Sequence, residues 1–367
     1  MGTIFAQSSG YGKAGVAVWR ISGAKALEAL ILLSQKKSFE PRKATLCNLR
    51  HPKNGNLIDK GMAIYFPAPA SFTGQDVVEL YLHGGIAVGK IILDALNSLD
   101  FLRIAQPGEF SKRSFLNGKM DLVQAEGVVD LINAETAMQH QSAIRQINGE
   151  LSSIYNNWRA QLLSALAKIQ ALIDFPDEDI PKEILIELEL LIKNLALSIS
   201  KHLADQGRGE KIRQGIKLAI FGPPNVGKSS LMNYLANRDI SIVSEIAGTT
   251  RDFIETFIDI AGYPISLVDT AGIRENTDDV IEQEGIKRAK YQVQQADIKI
   301  LVLDVALNID DLDEVFSELV TDDTIVIRNK IDLLDGDVKN DAQSIPISII
   351  KNLNLDVERS CHSVRLF

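Results

Sequence analysis

Residues Gly222-Pro223-Pro224-Asn225-Val226-Gly227-Lys228-Ser229 carry the most specific chemistry in the chain. They fit the spacing G-x-x-x-x-G-K-[ST], in which glycines let backbone N–H groups converge on phosphate oxygens. The pattern predicts that Lys228 contacts the β- and γ-phosphates and that the Ser229 hydroxyl ligates Mg²⁺. An apolar run from Lys217 to Phe221 precedes the loop, and a helix is expected over Ser230 to Ala236. The amino end of that helix adds a dipole favourable to an anion. A glycine-rich turn can match by chance, but the strand–loop–helix context favours phosphate binding.

Three further motifs follow in order. Asp269-Thr270-Ala271-Gly272 comes after the apolar run Ile265 to Val268. There Asp269 can hold the Mg²⁺ shell and Gly272 can donate its N–H to the γ-phosphate. Gly248-Thr249-Thr250-Arg251-Asp252 offers a threonine as the second Mg²⁺ hydroxyl. Asn329-Lys330-Ile331-Asp332 comes after the run Thr324 to Ile327. A carboxylate at Asp332 can accept from both N1–H and the exocyclic amine of guanine. Adenine lacks that donor pair, so the residue argues for GTP over ATP. The position after Asp-Thr-Ala-Gly is Ile273, not a glutamine able to orient the attacking water. Water positioning must come from elsewhere. Glu275, Asp278, Asp279, Glu282 and Glu284 follow closely; most of them read as a solvated loop and helix face, with one available for that role.

These motifs need a scaffold. From Lys217 onward, short apolar runs, including Ile298 to Leu303, alternate with helical stretches. That is the pattern of a doubly wound, mostly parallel sheet. The first third differs: Val16–Ile21, Met62–Phe66 and Val77–Leu82 read as strands, with helices over Ala24–Leu33 and Ile86–Leu99. This is a compact α+β or α/β module. Between Lys119 and Lys211 apolar residues recur at three and four spacing, as in Leu122, Ala125, Val129 and Ile132. Long helices are expected there, broken near Pro176 and Pro181.

Lys plus Arg is 39 and Asp plus Glu is 48, a net charge of −9, which excludes a generally basic nucleic-acid coat but not a local basic site. Two cysteines, Cys47 and Cys361, cannot build a disulfide framework. The amino-terminal residues lack a basic region followed by a long apolar run, so no signal peptide is expected. Ile184 to Leu203, the most apolar helical stretch, is broken by Glu187, Glu189 and Lys193 and reads as amphipathic rather than membrane-spanning. His51, His140, His202 and His362 show no metal-ligand spacing, and His83, before two glycines, reads equally as a ligand contact or a turn residue.

Several longer segments carry a resemblance. Val18-Trp19-Arg20-Ile21-Ser22-Gly23, Ser71-Phe72-Thr73-Gly74-Gln75-Asp76-Val77-Val78-Glu79-Leu80 and His83-Gly84-Gly85 are among them. So are Pro107 through Lys119 and Asp174-Phe175-Pro176-Asp177-Glu178-Asp179-Ile180. From residue 3 to about residue 348 the chain resembles the MnmE (TrmE) family of tRNA-modification GTPases. The resemblance implies a folate-binding α+β domain over 1–118, a helical domain over 119–211 and a Ras-like P-loop GTPase domain over 212–367. It implies a cytoplasmic homodimer that joins the flavoprotein MnmG (GidA) in a heterotetramer. The pair adds a carboxymethylaminomethyl group to C5 of the wobble uridine (U34) of certain tRNAs. The one-carbon unit comes from 5-formyltetrahydrofolate or a related folate. With the acidic net charge, any tRNA contact is local or made mostly by the partner.

The resemblance also implies site residues. Arg20, Glu79 and Lys119 match the family's folate contacts. Physically, Arg20 and Lys119 suit a glutamate tail or a formyl oxygen, and Glu79 a pterin amine donor pair; taken singly, each reads as a surface or structural ion pair. GTP contacts are implied at Asn225, Val226, Gly227, Lys228, Ser229 and Ser230, and at Ser244, Glu245, Ile246, Ala247, Gly248, Thr249 and Thr250. The set continues through Asp269, Thr270, Ala271, Gly272, Asn329, Lys330, Asp332 and Ser348. Ser229 and Thr250 would hold Mg²⁺. Asn225, Ser244, Ile246 and Thr249 match the positions that hold K⁺, a charge able to act as an arginine finger does. Glu282 aligns with the water-orienting glutamate and joins Lys228 as a catalytic candidate.

The carboxyl end departs from the family. Ser348 is followed by Ile349-Ile350-Lys351 where the family places Ala-Lys. A C-terminal helical segment ending in Cys-x-Gly-Lys is not found, and Cys361 is not followed by Gly-Lys, so the thiol's role is not transferred. One expectation is a truncated or frameshifted product that binds GTP without modifying tRNA. Another is that a second chain supplies the missing part. In either case the helices over 119–211 should expose apolar faces. A ribosome-associated regulatory GTPase is a further reading; the folate-type motifs favour tRNA modification.

Overall fold

The computed structural model describes residues 2–174, 182–205, 207–238, 256–269, 280–307, 312–334 and 344–355. The chain divides into two compact units, one of residues 1–128 and 146–153, the other of residues 129–145 and 154–367.

The first unit opens with β1 (Thr3–Gln7), β2 (Ala14–Ser22) and α1 (Ala26–Ser34). Next come β3 (Thr45–Arg50), β4 (Leu57–Phe66), β5 (Val77–Gly84), α2 (Ile86–Asn97), β6 (Leu102–Ile104) and α3 (Glu109–Leu116). Its six-stranded sheet has the order β3-β4-β5-β2-β1-β6. All neighbours are antiparallel except β1 and β6. Side chains alternate along β2, so Ala17, Trp19 and Ile21 are buried while Arg20 stays half-exposed on the other face. Val78, Leu80 and Leu82 of β5 enter the same core, packed with Leu30 and Leu33 of α1 and Ile92 and Leu96 of α2. The expected strands lie within β2, β4 and β5, and the expected helices overlap α1 and α2, the first beginning two residues before α1 and the second running two residues past α2. Sequence reasoning missed β1, β3 and β6. β6 is three residues long, too short for a period-2 pattern, and β3 interrupts its apolar residues with Asn48.

Buried Arg113, on α3, anchors the amino-terminal segment. Its guanidinium donates to Gly2 O (2.7 Å), Ser22 O (3.2 Å) and Gln75 Oε1 (2.8 Å), and pairs with Glu109 Oε1 (3.0 Å). Glu109 also receives Arg103 and the Gln106 N–H. The Arg103 hydrogen bonds outweigh partial burial and, with Gln106 and Arg113, hold the Glu109 carboxyl down to about 2.

Helices α4 (Leu122–Asn133), α5 (Ala137–Ile147) and α6 (Glu150–Asp174) contribute residues to both units. The second unit adds α7 (Lys182–Leu203) and α8 (Arg208–Gln214). Described α6 runs to Asp174 and α7 (Lys182–Leu203) follows; the break expected near Pro176 and Pro181 lies outside the described residues. Leu162, Leu166 and Ile173 of α6 and Ile186, Leu190 and Leu197 of α7 are exposed, the apolar faces expected of these helices. No helix among the described residues is long and apolar enough to cross a membrane.

The remaining elements of this unit are β7 (Ile216–Phe221), α9 (Lys228–Arg238), β8 (Thr256–Ile260), β9 (Tyr263–Asp269) and α10 (Val280–Gln295). They continue through β10 (Ile298–Asp304), α11 (Glu314–Ser317), β11 (Thr324–Asn329) and β12 (Ser344–Pro346). The second sheet has the order β12-β11-β10-β7-β9-β8. It is parallel except for the β8–β9 hairpin. Central β7 is buried from Leu218 to Phe221, with α9 on one face of the sheet (Leu231, Leu235) and α10 on the other (Ala289, Val293). This is the doubly wound sheet that the alternating runs imply. The order reverses on either side of β7, and ligands of such sheets bind beyond the carboxyl ends of the strands at that point.

Candidate functional site

The loop Gly222–Gly227 leaves the carboxyl end of β7 and runs into the first turn of α9. Gly222 is demanded by contact: a Cβ there would stand 2.2 Å from the Val302 carbonyl oxygen of β10. Gly227 has φ +103, and a Cβ would stand 2.3 Å from Asn329 Nδ2. Asn225 takes the left-handed conformation at φ 62, which asparagine tolerates better than most residues. Lys228 folds back along the loop, its Nζ donating to Gly222 O (2.9 Å) and Pro223 O (2.7 Å). The ammonium is therefore held within the loop that the spacing assigned to phosphate. Ser229 and Ser230 are exposed in the first turn of α9 and Val226 is buried.

The residues expected to read the base gather beside this loop. Asn329 ends β11 and is buried; its Nδ2 donates to the buried Val226 carbonyl at 2.9 Å. Its Oδ1 accepts the Ile349 N–H at 3.4 Å. One amide thus ties the phosphate loop to the segment after β12. Asp332 sits in a 3-10 turn, Ile331–Leu333, and accepts the buried Ser348 hydroxyl. Ser348 and Leu353 exchange two backbone hydrogen bonds (3.1 and 3.0 Å), and the Lys351 N–H donates to Ser348 Oγ (3.2 Å). The departure from Ala-Lys therefore leaves a closed turn over Asp332. The structure brings together Asn225, Val226, Gly227, Lys228, Ser229, Ser230, Asn329, Lys330, Asp332 and Ser348.

Asp269 closes β9 opposite Ile220 of β7, so its backbone reaches the same strand-end edge. Its side chain, and that of Glu282 on α10, lie outside the described residues. Ser244, Glu245, Ile246, Ala247, Gly248, Thr249, Thr250, Thr270, Ala271, Gly272 and Cys361 lie outside them as well.

In the first unit, Arg20 and Glu79 are register partners on β2 and β5. Arg20 Nε and Nη2 both donate to Glu79 Oε1, at 2.9 and 2.8 Å. The guanidinium lies over the rings of Phe72 (5.1 Å) and Phe110 (5.6 Å), and Glu79 Oε2 accepts the Tyr81 hydroxyl at 2.8 Å. Burial and the bond to Glu79 push the Tyr81 phenol up. Two residues expected as separate ligand contacts thus pair with each other. The pair is 23% and 14% exposed, and three of the five guanidinium N–H groups remain for a ligand. Lys119 is exposed, its stem packed near Gly74.

Sequence reasoning missed Phe72, Phe110 and Tyr81 around Arg20. The period-2 alternation of Glu79 and Tyr81 on β5 was the available signal for the last. His83 lies near the end of β5, not in a turn, and its N–H and Nδ1 both meet the Asp59 carboxylate at 2.8 Å. Burial raises the Asp59 carboxyl, but these bonds and the Lys60 N–H outweigh it and hold the group below its ordinary range. Among the described residues no group of three or more His, Cys, Asp or Glu side chains could hold a metal ion.

Comparison with known proteins gives two family matches. "GTP-binding protein TrmE N-terminus" covers residues 3–119, and "MnmE helical domain" covers residues 122–358. The chain is 52% identical over 360 residues to the tRNA modification GTPase MnmE of Rickettsia canadensis, spanning 97% of this chain and 81% of that relative. It is 54% identical over 340 residues to the MnmE of Rickettsia typhi, spanning 91% and 75%. Among solved structures, the G domain of the T. maritima FeoB iron transporter matches at 24% identity with a TM-score of 0.30, covering 40% of this chain and 94% of that one.

Proposed function

The chain belongs to the MnmE (TrmE) family of tRNA-modification GTPases, and on that premise we propose a potassium-activated GTP hydrolase that modifies the wobble uridine of tRNA with a flavoprotein partner. The observation that carries the nucleotide half is the Asn329 amide, bonded at once to the Val226 carbonyl and the Ile349 N–H. It joins phosphate loop, guanine reader and closing turn into one site at the sheet's switch point.

In this reading Lys228 turns from its own loop carbonyls to the β- and γ-phosphates. Asp332 reads the guanine edge with Ser348 holding its carboxylate. The exposed hydroxyl of Ser229 and the amide oxygen of Asn225 are hard donors suited to Mg²⁺ and K⁺ respectively. Thr250 would complete the Mg²⁺ set, and Ser244, Ile246 and Thr249 the K⁺ set. A cation beside the phosphates supplies the charge an arginine finger would otherwise bring. Glu282 would orient the attacking water, with Ile273 in the position a glutamine fills elsewhere.

The first unit is read as a folate site. Arg20, with free N–H groups and two flanking rings, suits a carboxylate or formyl oxygen; Glu79 accepts pterin donors and Lys119 pairs with the glutamate tail. A bound formyltetrahydrofolate would supply the one-carbon unit for a carboxymethylaminomethyl group at U34. The organisation is a folate domain over 1–118, a helical domain over 119–211 and a G domain over 212–367. The working assembly is a cytoplasmic homodimer with the flavoprotein MnmG, and tRNA is held by the complex.

The test is GTP hydrolysis by the full chain in KCl against NaCl at equal ionic strength. Strong stimulation by potassium, lost in Asn225→Ala, is the expected result. Equal rates in both salts by folded protein would remove the potassium reading.

A further inference from the structure

Asp304 ends β10 in register with Asn329 at the end of β11. The two strands finish together, and the Val305 N–H donates to Asn329 O at 3.0 Å. The Asp304 carboxylate is doubly held: Oδ1 accepts the Ala306 N–H at 3.2 Å and Oδ2 meets Lys330 Nζ at 2.8 Å. Lys330 has φ 68 and ψ 33, a left-handed backbone unusual for a long side chain. From that conformation its stem runs back to the end of β10. Both partners are about three-quarters buried (29% and 23% side-chain exposure). The Lys330 hydrogen bond, helped by the Ala306 N–H, outweighs partial burial and holds the Asp304 carboxyl below its ordinary range. None of the nucleotide motifs contains Asp304.

We propose that Asp304 is a positioning residue for guanine nucleotide: it pins the Lys330 stem as a preformed wall of the base slot beside Asp332. The proposal rests on the guanine reading of Asp332. A lysine stem left free must be immobilised each time nucleotide enters, and freezing one such side chain is worth about tenfold in affinity. The charge pair removes that cost before binding. The wall contacts the face of the base, whereas Asp332 reads its edge, so the two effects separate.

The experiment measures binding of fluorescent mant-GDP and mant-IDP to the full chain and to Asp304→Asn, Asp304→Ala and Asp304→Glu. Hypoxanthine lacks the exocyclic amine that Asp332 accepts. Asp304→Asn and Asp304→Ala are expected to weaken both ligands by about tenfold, with the GDP/IDP ratio held. Asp304→Glu, which keeps the charge, is expected to recover most of the loss. In GTP hydrolysis KM should rise in parallel while kcat holds. Wild-type affinity in Asp304→Asn, a collapse of the GDP/IDP ratio, or a fall in kcat at constant KM would each overturn the assignment. Failure of the folded wild-type chain to bind mant-GDP would overturn both this assignment and the guanine reading.

Discussion

Replacing Asn329 by alanine isolates the bond that joins the two halves of the nucleotide site. The side chain is 4% exposed and its Nδ2 lies 2.9 Å from the carbonyl of Val226, itself 2% exposed. Truncation leaves that carbonyl buried with no donor, a cost of about 1–3 kcal/mol. The Ile349 N–H, at 3.4 Å, loses a longer and weaker partner. On the proposed reading of this loop as the phosphate cradle, the cost falls mainly on its nucleotide-competent conformation. At 1.4 kcal/mol per decade this weakens mant-GDP binding by about fivefold to a hundredfold. Asn329→Asp should do no better, since a carboxylate can only accept and would face another acceptor. Fluorescence titration of folded Asn329→Ala protein reads the affinity. Unfolding of the first unit, followed by Trp19 fluorescence in a Trp158→Phe background, serves as control and should be unchanged. A dissociation constant within twofold of wild type would refute the reasoning.

Three other outcomes are expected. Glu109, at about 2 in the fold against an ordinary 4.5, contributes stability that is present above pH 4.5 and lost as pH falls towards 2. The gap is worth about 3 kcal/mol at most, and Glu109→Gln should remove most of this acid dependence from urea unfolding of the first unit, read by Trp19 in the same background. Gly222→Ala drives a Cβ to within 2.2 Å of the Val302 carbonyl, so β7 and β10 must part; a loss on the order of 3 kcal/mol is expected in thermal unfolding of the second unit, along with nucleotide binding. Arg20→Met keeps an unbranched apolar side chain but removes the guanidinium N–H groups and its contact with the Phe72 and Phe110 rings, and should weaken 5-formyltetrahydrofolate binding roughly tenfold or more by calorimetry. Unchanged affinity would make Arg20–Glu79 a purely structural pair.

Much of the candidate nucleotide site was legible because its parts are local. Gly222, Gly227, Lys228 and Ser229 lie in one loop whose backbone needs those residue types, and Asn329, Lys330 and Asp332 lie in one turn. The strands around them are short, mostly apolar runs, so β7, β9, β10 and β11 stood out. Two strands of the second sheet did not. β8 pairs only as the edge of a hairpin, and β12 is three residues long. Their places depend on partners distant in sequence.

The sequence by itself carried the motifs whose spacing is proposed to meet phosphate, cation and guanine, and the alternation that makes a doubly wound sheet. It also showed the helical spacing that leaves apolar faces along α6 and α7. Tertiary structure decided the pairings. Arg20 and Glu79, 59 positions apart, became partners through the β2–β5 register. Asn329 found Val226 across 103 positions because β7 and β11 finish at one edge of the sheet, on either side of β10. Asp304 found Lys330 because parallel β10 and β11 end level with each other. Composition and spacing describe neighbours along the chain, while a hydrogen bond or ion pair needs atoms within about 3 Å, a distance that only packing sets.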